Sequence, residues 1–384
     1  MNYPETIQQL EKKLHWLQFG EDGVLEIYLD NHMLQTFRMC EARFFEEFVE
    51  GYKPKGSLGR IWFLDFGVCV HKAVEIYYRD RKKGAFDLMG WISKIARQIW
   101  DEKDMEYWAN EDLWKGHKYN SYKDLGGFLG FCGLLFQYAQ YFSIENERFR
   151  VIGTELYFGK NKEVPLLDVC PLSLNAHAKI CDCGWPFRLY LAGKIDLLVD
   201  DGYSIGPMDH KTSRDFMGKN PTINYEIQEG MTGYVFAAKA ILANFNKYTN
   251  SEHNIPHEVP VGRQVNKIWM NFLQVKPAKA NMADRFKRVP LYKTDEELEM
   301  YRQRQISTAA RIYQLLENYK EPTDSNSTGL QPFYNHMACT NWMHRNCLFQ
   351  PVHRQNSRQN QLTILNVDFV KDQSGVWNPE SVED

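Results

Sequence analysis

Along residues 31–50 (NHMLQTFRMCEARFFEEFVE), Leu34, Phe37, Cys40 or Glu41, Phe44 and Phe45 recur every three to four positions, the period of an amphipathic helix. Cys40 falls on or beside its apolar side. After Lys/Pro/Gly/Ser punctuation at residues 53–59, FGVCVHKAVEIYYRDR predicts a second helix and residues 86–100 and 121–145 two more. The first ~150 residues are therefore expected to be mostly helical. At FRVIGTELYFGK (149–160) the pattern changes to β-branched and aromatic residues without helical spacing, and it does so again in RLYLAGKIDLLVDD and YSIGPMDHKTS, which predicts strands. The turn Asp200, Asp201, Gly202 joins the last two as an antiparallel hairpin. A helix over 224–246, a strand over 267–276 and a long charged helix over 293–319 complete the pattern.

This order divides the chain into a helical region (1–150), a strand-bearing core (151–290), a helix with a Cys/His-rich segment (291–355) and a weakly structured tail (356–384). With 43% hydrophobic and 14% aromatic residues among 384, a sizeable packed core is expected and extensive disorder is not. Membrane insertion has one candidate, the uncharged run Leu125–Ile144. Its glycines and glutamines favour a buried core helix instead. The first residues hold Glu and Lys where a secretory signal needs an apolar stretch, so a cytoplasmic protein is expected.

Chemistry concentrates on the predicted hairpin. Asp196 lies mid-strand in GKID, and across the turn come Asp209, His210 and Lys211. Asp209 and Lys211, two apart on a strand, share a face, and the hairpin can bring Asp196 near them. Two carboxylates beside an ammonium are hard oxygen donors of the kind that suit Mg²⁺ or Mn²⁺, an ion able to acidify its water and stabilise charge on a phosphodiester. Lys211 is placed to orient or deprotonate that water, or to stabilise the phosphate. A turn-capping Asp196 with a surface Asp209–Lys211 pair is the simpler alternative for such a triplet in isolation.

The surrounding stretches make the triplet less isolated. DNHMLQTFRMCEARFFEEFVEGY, FGVCVHKAVEIYY (Gly67, His71), AGKIDLLVDD (Asp196) and MDHKTS (Asp209, Lys211) resemble, in order, the opening helix, G-x-x-x-H helix, G-x-x-D strand and (D/E)-x-K strand of the PD-(D/E)xK nucleases. Within that superfamily the resemblance is to the RecB-like exonucleases of phages, recombination complexes and CRISPR adaptation. The resemblance implies an α/β (mixed α+β) restriction-endonuclease-like core, a mixed sheet flanked by helices. It also implies metal-dependent exonucleolytic hydrolysis of DNA, with His71, Asp196 and Asp209 as metal ligands and Lys211 serving the water. Glu155 resembles a frequent acidic position near those metals. The family's Q-x-x-x-Y helix is matched by Tyr234, but Gly230 stands where the glutamine belongs and Gln228 is the nearest one. An inactive DNA-binding module, or a subunit serving a helicase or CRISPR-adaptation partner, is the alternative, and any motor must be another polypeptide because the chain has no P-loop motif.

The eight cysteines are too scattered for a disulfide scaffold, which leaves metal ligation or plain burial. Some RecB-like nucleases bind an iron-sulfur cluster through one early and three late cysteines. Here Cys40, Cys339 and Cys347 match, with His353 in place of the last, a set that suits [4Fe-4S] or Zn²⁺; His336 and His344 are alternative ligands. Cys170, His177, Cys181 and Cys183 form a second group with irregular spacing. The net charge of −3 confines DNA contact to a local basic surface, for which Arg263, Lys267, Lys276, Lys279, Arg285, Lys287 and Arg288 are the candidates.

Overall fold

The computed structural model describes residues 3–55, 62–81, 88–102, 128–143, 149–159, 162–168, 186–213, 222–226, 228–243, 262–275, 282–319, 347–355 and 358–372. Among these the chain forms the strands β1 (Leu17–Phe19), β2 (Leu25–Asp30), β3 (Tyr52–Pro54), β4 (Arg150–Phe158), β5 (Pro165–Leu167), β6 (Phe187–Asp200), β7 (Ile205–Ser213), β8 (Lys267–Gln274), β9 (Phe286–Tyr292) and β10 (Phe369–Lys371). Two compact units interleave along the sequence, one of Met1–Arg60, Tyr157–Gly193 and Glu299–Asp384, the other of Ile61–Leu156 and Lys194–Leu298.

In the first unit, β2 pairs antiparallel with β1 (Leu17↔Ile27) and parallel with the first half of β6 (Leu25↔Phe187 to Asp30↔Ala192), and β5 joins β6 antiparallel. For β1 and β2 the sequence pattern anticipates a mostly helical region. A hairpin signal is nonetheless there: the Asp22-Gly23 turn, with Gly23 at φ 73°, precedes the β-rich run VLEIYL. The helix expected over 31–50 is interrupted. Asp30 caps Asn31–Met39 by accepting from the Met33 amide over 2.6 Å, then Cys40 is extended (φ −161°, ψ 105°), and Glu41–Phe44 leads into a π-turn, Phe45–Val49. The interruption lets Phe37, Phe44 and Phe48 surround one another, with Trp16 edge-on to Phe44. Residues expected to trail off instead form the helix Arg358–Asp368 and β10, which pairs with β3 and buries Phe369, Leu365 and Tyr52 with Cys347 and Phe349.

The second unit holds a mixed sheet: the second half of β6 runs antiparallel to β7, β7 parallel to β8, and β8 antiparallel to β9. β4 also pairs with β6. The β6–β7 turn forms where expected. Asp200 accepts from the Gly202 amide and Asp201 from those of Tyr203 and Ser204, with Gly202 at φ 92°. β9 is a finding beyond the sequence pattern, which assigns no element to FKRVPLY; its Pro290 is tolerated because β9 ends the strand order. Helices Trp62–Arg81, Leu88–Glu102 and Phe128–Tyr141 interlock through Val70, Val74, Tyr77, Leu134 and Tyr138, in one core with Leu197, Met208 and Leu273 of the sheet. The described part of the apolar run, Phe128–Tyr141, is thus core helix, and no described helix is long and apolar enough to cross a membrane. Helix Glu229–Ala243 covers β8 through Met231 and Val235.

Candidate active site

Two elements of the second unit deliver the site. The β6–β7 ladder runs from Asp200↔Ile205 to Leu197↔Met208, so the next residues, Asp196 and Asp209, stand where the pairing ends and side chains have room to converge. Helix Trp62–Arg81 packs on β7, with Gly67 beside Thr212: a Cβ there would already meet the Thr212 hydroxyl at 3.5 Å. One turn on, His71 Nδ1 lies 3.1 Å from Asp196 Oδ2, which also accepts from the His210 backbone amide over 3.4 Å.

The electrostatics separate the two acids. Burial pushes the Asp196 carboxyl up, but the His71 hydrogen bond and nearby positive charge outweigh it and hold the group well below the ordinary carboxylate range. Burial also opposes protonation of His71, yet Asp196 and Asp209 raise its pKa overall. Asp209 is raised, chiefly by burial and further by the Asp196 charge, against the pull of Lys211. Lys211 is raised despite burial because Asp209 holds its ammonium. That ammonium donates to Asp209 Oδ1 over 2.9 Å and lies 2.7 Å from Oδ2, a buried oxygen that itself accepts no hydrogen bond.

An ionised carboxylate, an imidazole and a buried carboxylate oxygen without a donor have the chemistry of a hard-cation site. Among the described residues no three His, Cys, Asp or Glu side chains are grouped closely enough to hold a metal ion as they stand. Glu155 of β4 forms a close ion pair with Lys194 of β6. Its backbone is left-handed (φ 50°) within a strand. Such a conformation in a non-glycine residue costs about 1–3 kcal/mol, whereas a partly exposed ion pair returns about 0–1 kcal/mol. Stability does not account for this pair.

The other expected residues are placed differently. Gln228 is exposed, and its backbone carbonyl accepts from Met231 at the start of helix Glu229–Ala243. Tyr234 packs at the margin of the Met231, Val235 and Met270 cluster. It is Tyr225, on the short helix Ile223–Glu226, whose phenol shares its electrostatic environment with Lys211 and Asp209; burial raises it most, Lys211 opposes, and Asp209 adds. Its ring tilts against Phe272 at 5.6 Å. The sequence resemblance points past it to Tyr234.

Sequence reasoning also passes over the residue between the two motif positions. His210 is 2% exposed, stacks on Tyr78 (6.1 Å, 11°) and stands edge-on with His71 (5.8 Å, 87°). Burial drives its pKa down to about 3, with the positive charges of His71, Arg288 and Lys211 adding and Asp196 opposing, so the ring is neutral.

Several basic candidates turn inward. Lys267 is buried against Asp201, Arg285 donates to the Gln274 and Val275 carbonyls over 3.0 and 2.7 Å, and Arg288 donates to Tyr78 over 2.9 Å while lying 4.0 Å over the Phe142 ring. Arg263 sits 3.5 Å from Asp200, and Lys287 is half-buried. Lys276 and Lys279 lie outside the described residues. Among the described candidates, the charge of Lys267, Arg285 and Arg288 is therefore spent on partners across the sheet and in the core rather than facing solvent.

In the first unit, Cys40 and Cys347 are both buried thiols, and Cys347 is raised by burial, with Arg43 opposing and Cys40 and Glu46 adding. His353 shares a 2.7 Å hydrogen bond between its Nε2 and Glu46 Oε2, and the two side chains are 1% and 4% exposed. Cys339, His336, His344, Cys170, His177, Cys181 and Cys183 lie outside the described residues.

Comparison with curated proteins finds no significant match. The family model described as the PD-(D/E)XK nuclease superfamily matches residues 32–334, a span that contains His71, Asp196, Asp209 and Lys211. As that span is most of the 384 residues, the chain belongs to the PD-(D/E)XK nuclease superfamily.

Proposed function

We propose that the protein is a Mg²⁺- or Mn²⁺-dependent exonuclease that hydrolyses DNA phosphodiesters at ends or in single strands during recombination or DNA processing in the cytoplasm. The observation that carries this reading is the convergence of Asp196, Asp209, Lys211 and His71 at the end of the β6–β7 ladder. Asp196 and Asp209, with His71 beside them, are the residues that would hold the cation, which when bound supplies Lewis acidity for water and phosphate. Asp196 stays ionised at neutral pH and accepts from His71 and the His210 amide, so its carboxylate is aimed before substrate arrives. Lys211, kept cationic by Asp209, supplies positive charge for the phosphodiester and an N–H donor to orient the attacking water.

The exonuclease subtype and a helicase, recombination or CRISPR-adaptation partner rest on the RecB-like resemblance. The iron-sulfur or zinc set rests on that resemblance too: Cys40, Cys347 and His353 are buried in the first unit, His353 Nε2 is paired with Glu46, Cys339 lies outside the described residues, and no step is assigned to such a group. A second reading, a DNA-binding module without activity, is favoured by one observation, that Gly230 stands where the family's glutamine belongs and the nearest glutamine, Gln228, is exposed.

The test is digestion of matched linear and circular DNA, single-stranded and duplex, with Mg²⁺ or Mn²⁺. Loss of linear molecules from their ends, with circles intact, supports the exonuclease. Cleavage of circles contradicts the end requirement, and binding without cleavage supports the module.

A further inference from the structure

The Glu155–Lys194 pair has no part in the chemistry assigned above, and its geometry is costly. Glu155 takes a left-handed backbone within β4 (φ 50°), and Gly193, which precedes Lys194, also has positive φ (152°). Non-glycine residues in that region cluster at ligand-binding sites because folding alone does not favour them. Lys194 and Asp196 are two apart on β6, so their side chains leave the strand on one face. Lys194 is the more accessible, with 37% of its side chain exposed against 14% for Asp196. The Asp196 charge also acts on the Glu155 carboxyl, whose raised pKa comes first from burial, with Lys194 opposing.

A phosphodiester presented to Asp196 therefore meets the Lys194 ammonium on the same face. A lysine is suited to exchanging one anion for another, being a compact charge on a flexible stem with no fixed fork of donors. The DNA backbone, carrying many phosphates, competes with the single carboxylate of Glu155 for it. We propose that Lys194 is a substrate-binding residue that contacts a DNA phosphate beside Asp196, and that Glu155 is a latch occupying Lys194 until that phosphate displaces it. The proposal rests on the nuclease reading for the identity of the anion. It adds a residue that the motif does not assign and gives the strained Glu155 backbone a function.

The two side chains then have opposite effects on DNA affinity, which damage to the fold would not produce. The experiment measures binding of a labelled single-stranded oligonucleotide in EDTA across a salt titration, for wild type, Glu155→Gln, Lys194→Met and the double variant. Thermal melting confirms that each is folded. Glu155→Gln is expected to bind roughly threefold to fivefold more tightly, since the carboxylate that competes with DNA phosphate for Lys194 is gone. Lys194→Met is expected to bind about fivefold more weakly and to lower the salt slope by about one. The double variant should match Lys194→Met, because the latch acts only through the lysine. If wild type binds and Glu155→Gln is unchanged or weaker, or the Lys194→Met slope is unchanged, the latch is overturned alone. If folded wild type binds no DNA, the latch and the nuclease reading fall together.

Discussion

Asn271 of β8 donates one amide hydrogen to His210 Nδ1 over 2.7 Å and the other to Tyr138 Oη, also over 2.7 Å. An amide nitrogen only donates, so His210 accepts at Nδ1 and its neutral ring carries its proton on Nε2. Tyr138 meets Tyr78 at 2.9 Å, and Arg288 donates to Tyr78 over 2.9 Å and toward Tyr138 over 3.5 Å. A buried polar line thus runs from the Arg288 cation to the residue between Asp209 and Lys211. Within the core it ties the active-site strand to β8, β9 and two helices.

Replacing Asn271 by Leu keeps the volume but strands the buried acceptor His210 Nδ1 and removes one of the donors to Tyr138 Oη. The expected cost is about 1–3 kcal/mol of unfolding free energy. Urea denaturation of the variant checks it, and a change below about 0.5 kcal/mol, the range of ordinary surface substitutions, would show that the line carries no stability.

The pair of His353 and Glu46 makes a similar prediction in the first unit. His353→Ala removes the 2.7 Å partner of a buried carboxyl group and should cost more stability than Glu46→Gln, which keeps a polar group in its place. Denaturant midpoints of both variants decide between this and a peripheral role. Equal small losses would contradict it.

The elements legible in the sequence are those set by local periodicity and motif spacing. The β6–β7 hairpin, its Asp200–Gly202 turn, the His71 helix and the helix Asp295–Glu317 can be read because each pattern is local. β2 escapes such a reading because its partner, the first half of β6, lies about 160 residues away and its run of six residues precedes a strongly helical segment. The basic stretch misleads for a different reason. A lysine or arginine in a run of charges carries no sign that Asp201, Tyr78 or a pair of carbonyls awaits it inside. His210 stands in an unconstrained motif position, and only its stacking on Tyr78 reveals it.

Lys267 and Asp201 predict a pH dependence of stability. Burial raises the Asp201 carboxyl, but the Lys267 hydrogen bond and the turn amides outweigh it, so its folded pKa lies below the unfolded value. A depressed carboxyl stabilises the fold above its unfolded pKa, ~3.9, and loses that contribution as pH falls through the folded pKa. The stability gap between wild type and Asp201→Asn should therefore be largest near neutrality and shrink below about pH 4. Urea unfolding at pH 7 and pH 3 measures it; a gap that widens in acid would have the wrong sign.

Metal removal should separate chemistry from folding. With its carboxylates already held by His71 and Lys211, the site does not need a cation to fold. EDTA is expected to abolish DNA cleavage while shifting the melting temperature by less than about 3 °C, and Mg²⁺ or Mn²⁺ to restore activity. Cleavage that persists in EDTA would contradict a divalent-cation requirement.

The most direct measurement is the rate of end-labelled DNA degradation by wild type, Asp196→Asn and Lys211→Ala in saturating Mg²⁺, with melting curves for all three. The nuclease reading predicts degradation by wild type and a loss of at least about a hundredfold in each variant, with folding retained. Degradation at wild-type rates by either folded variant would contradict the assignment of the β6–β7 carboxylates and lysine as the nuclease site.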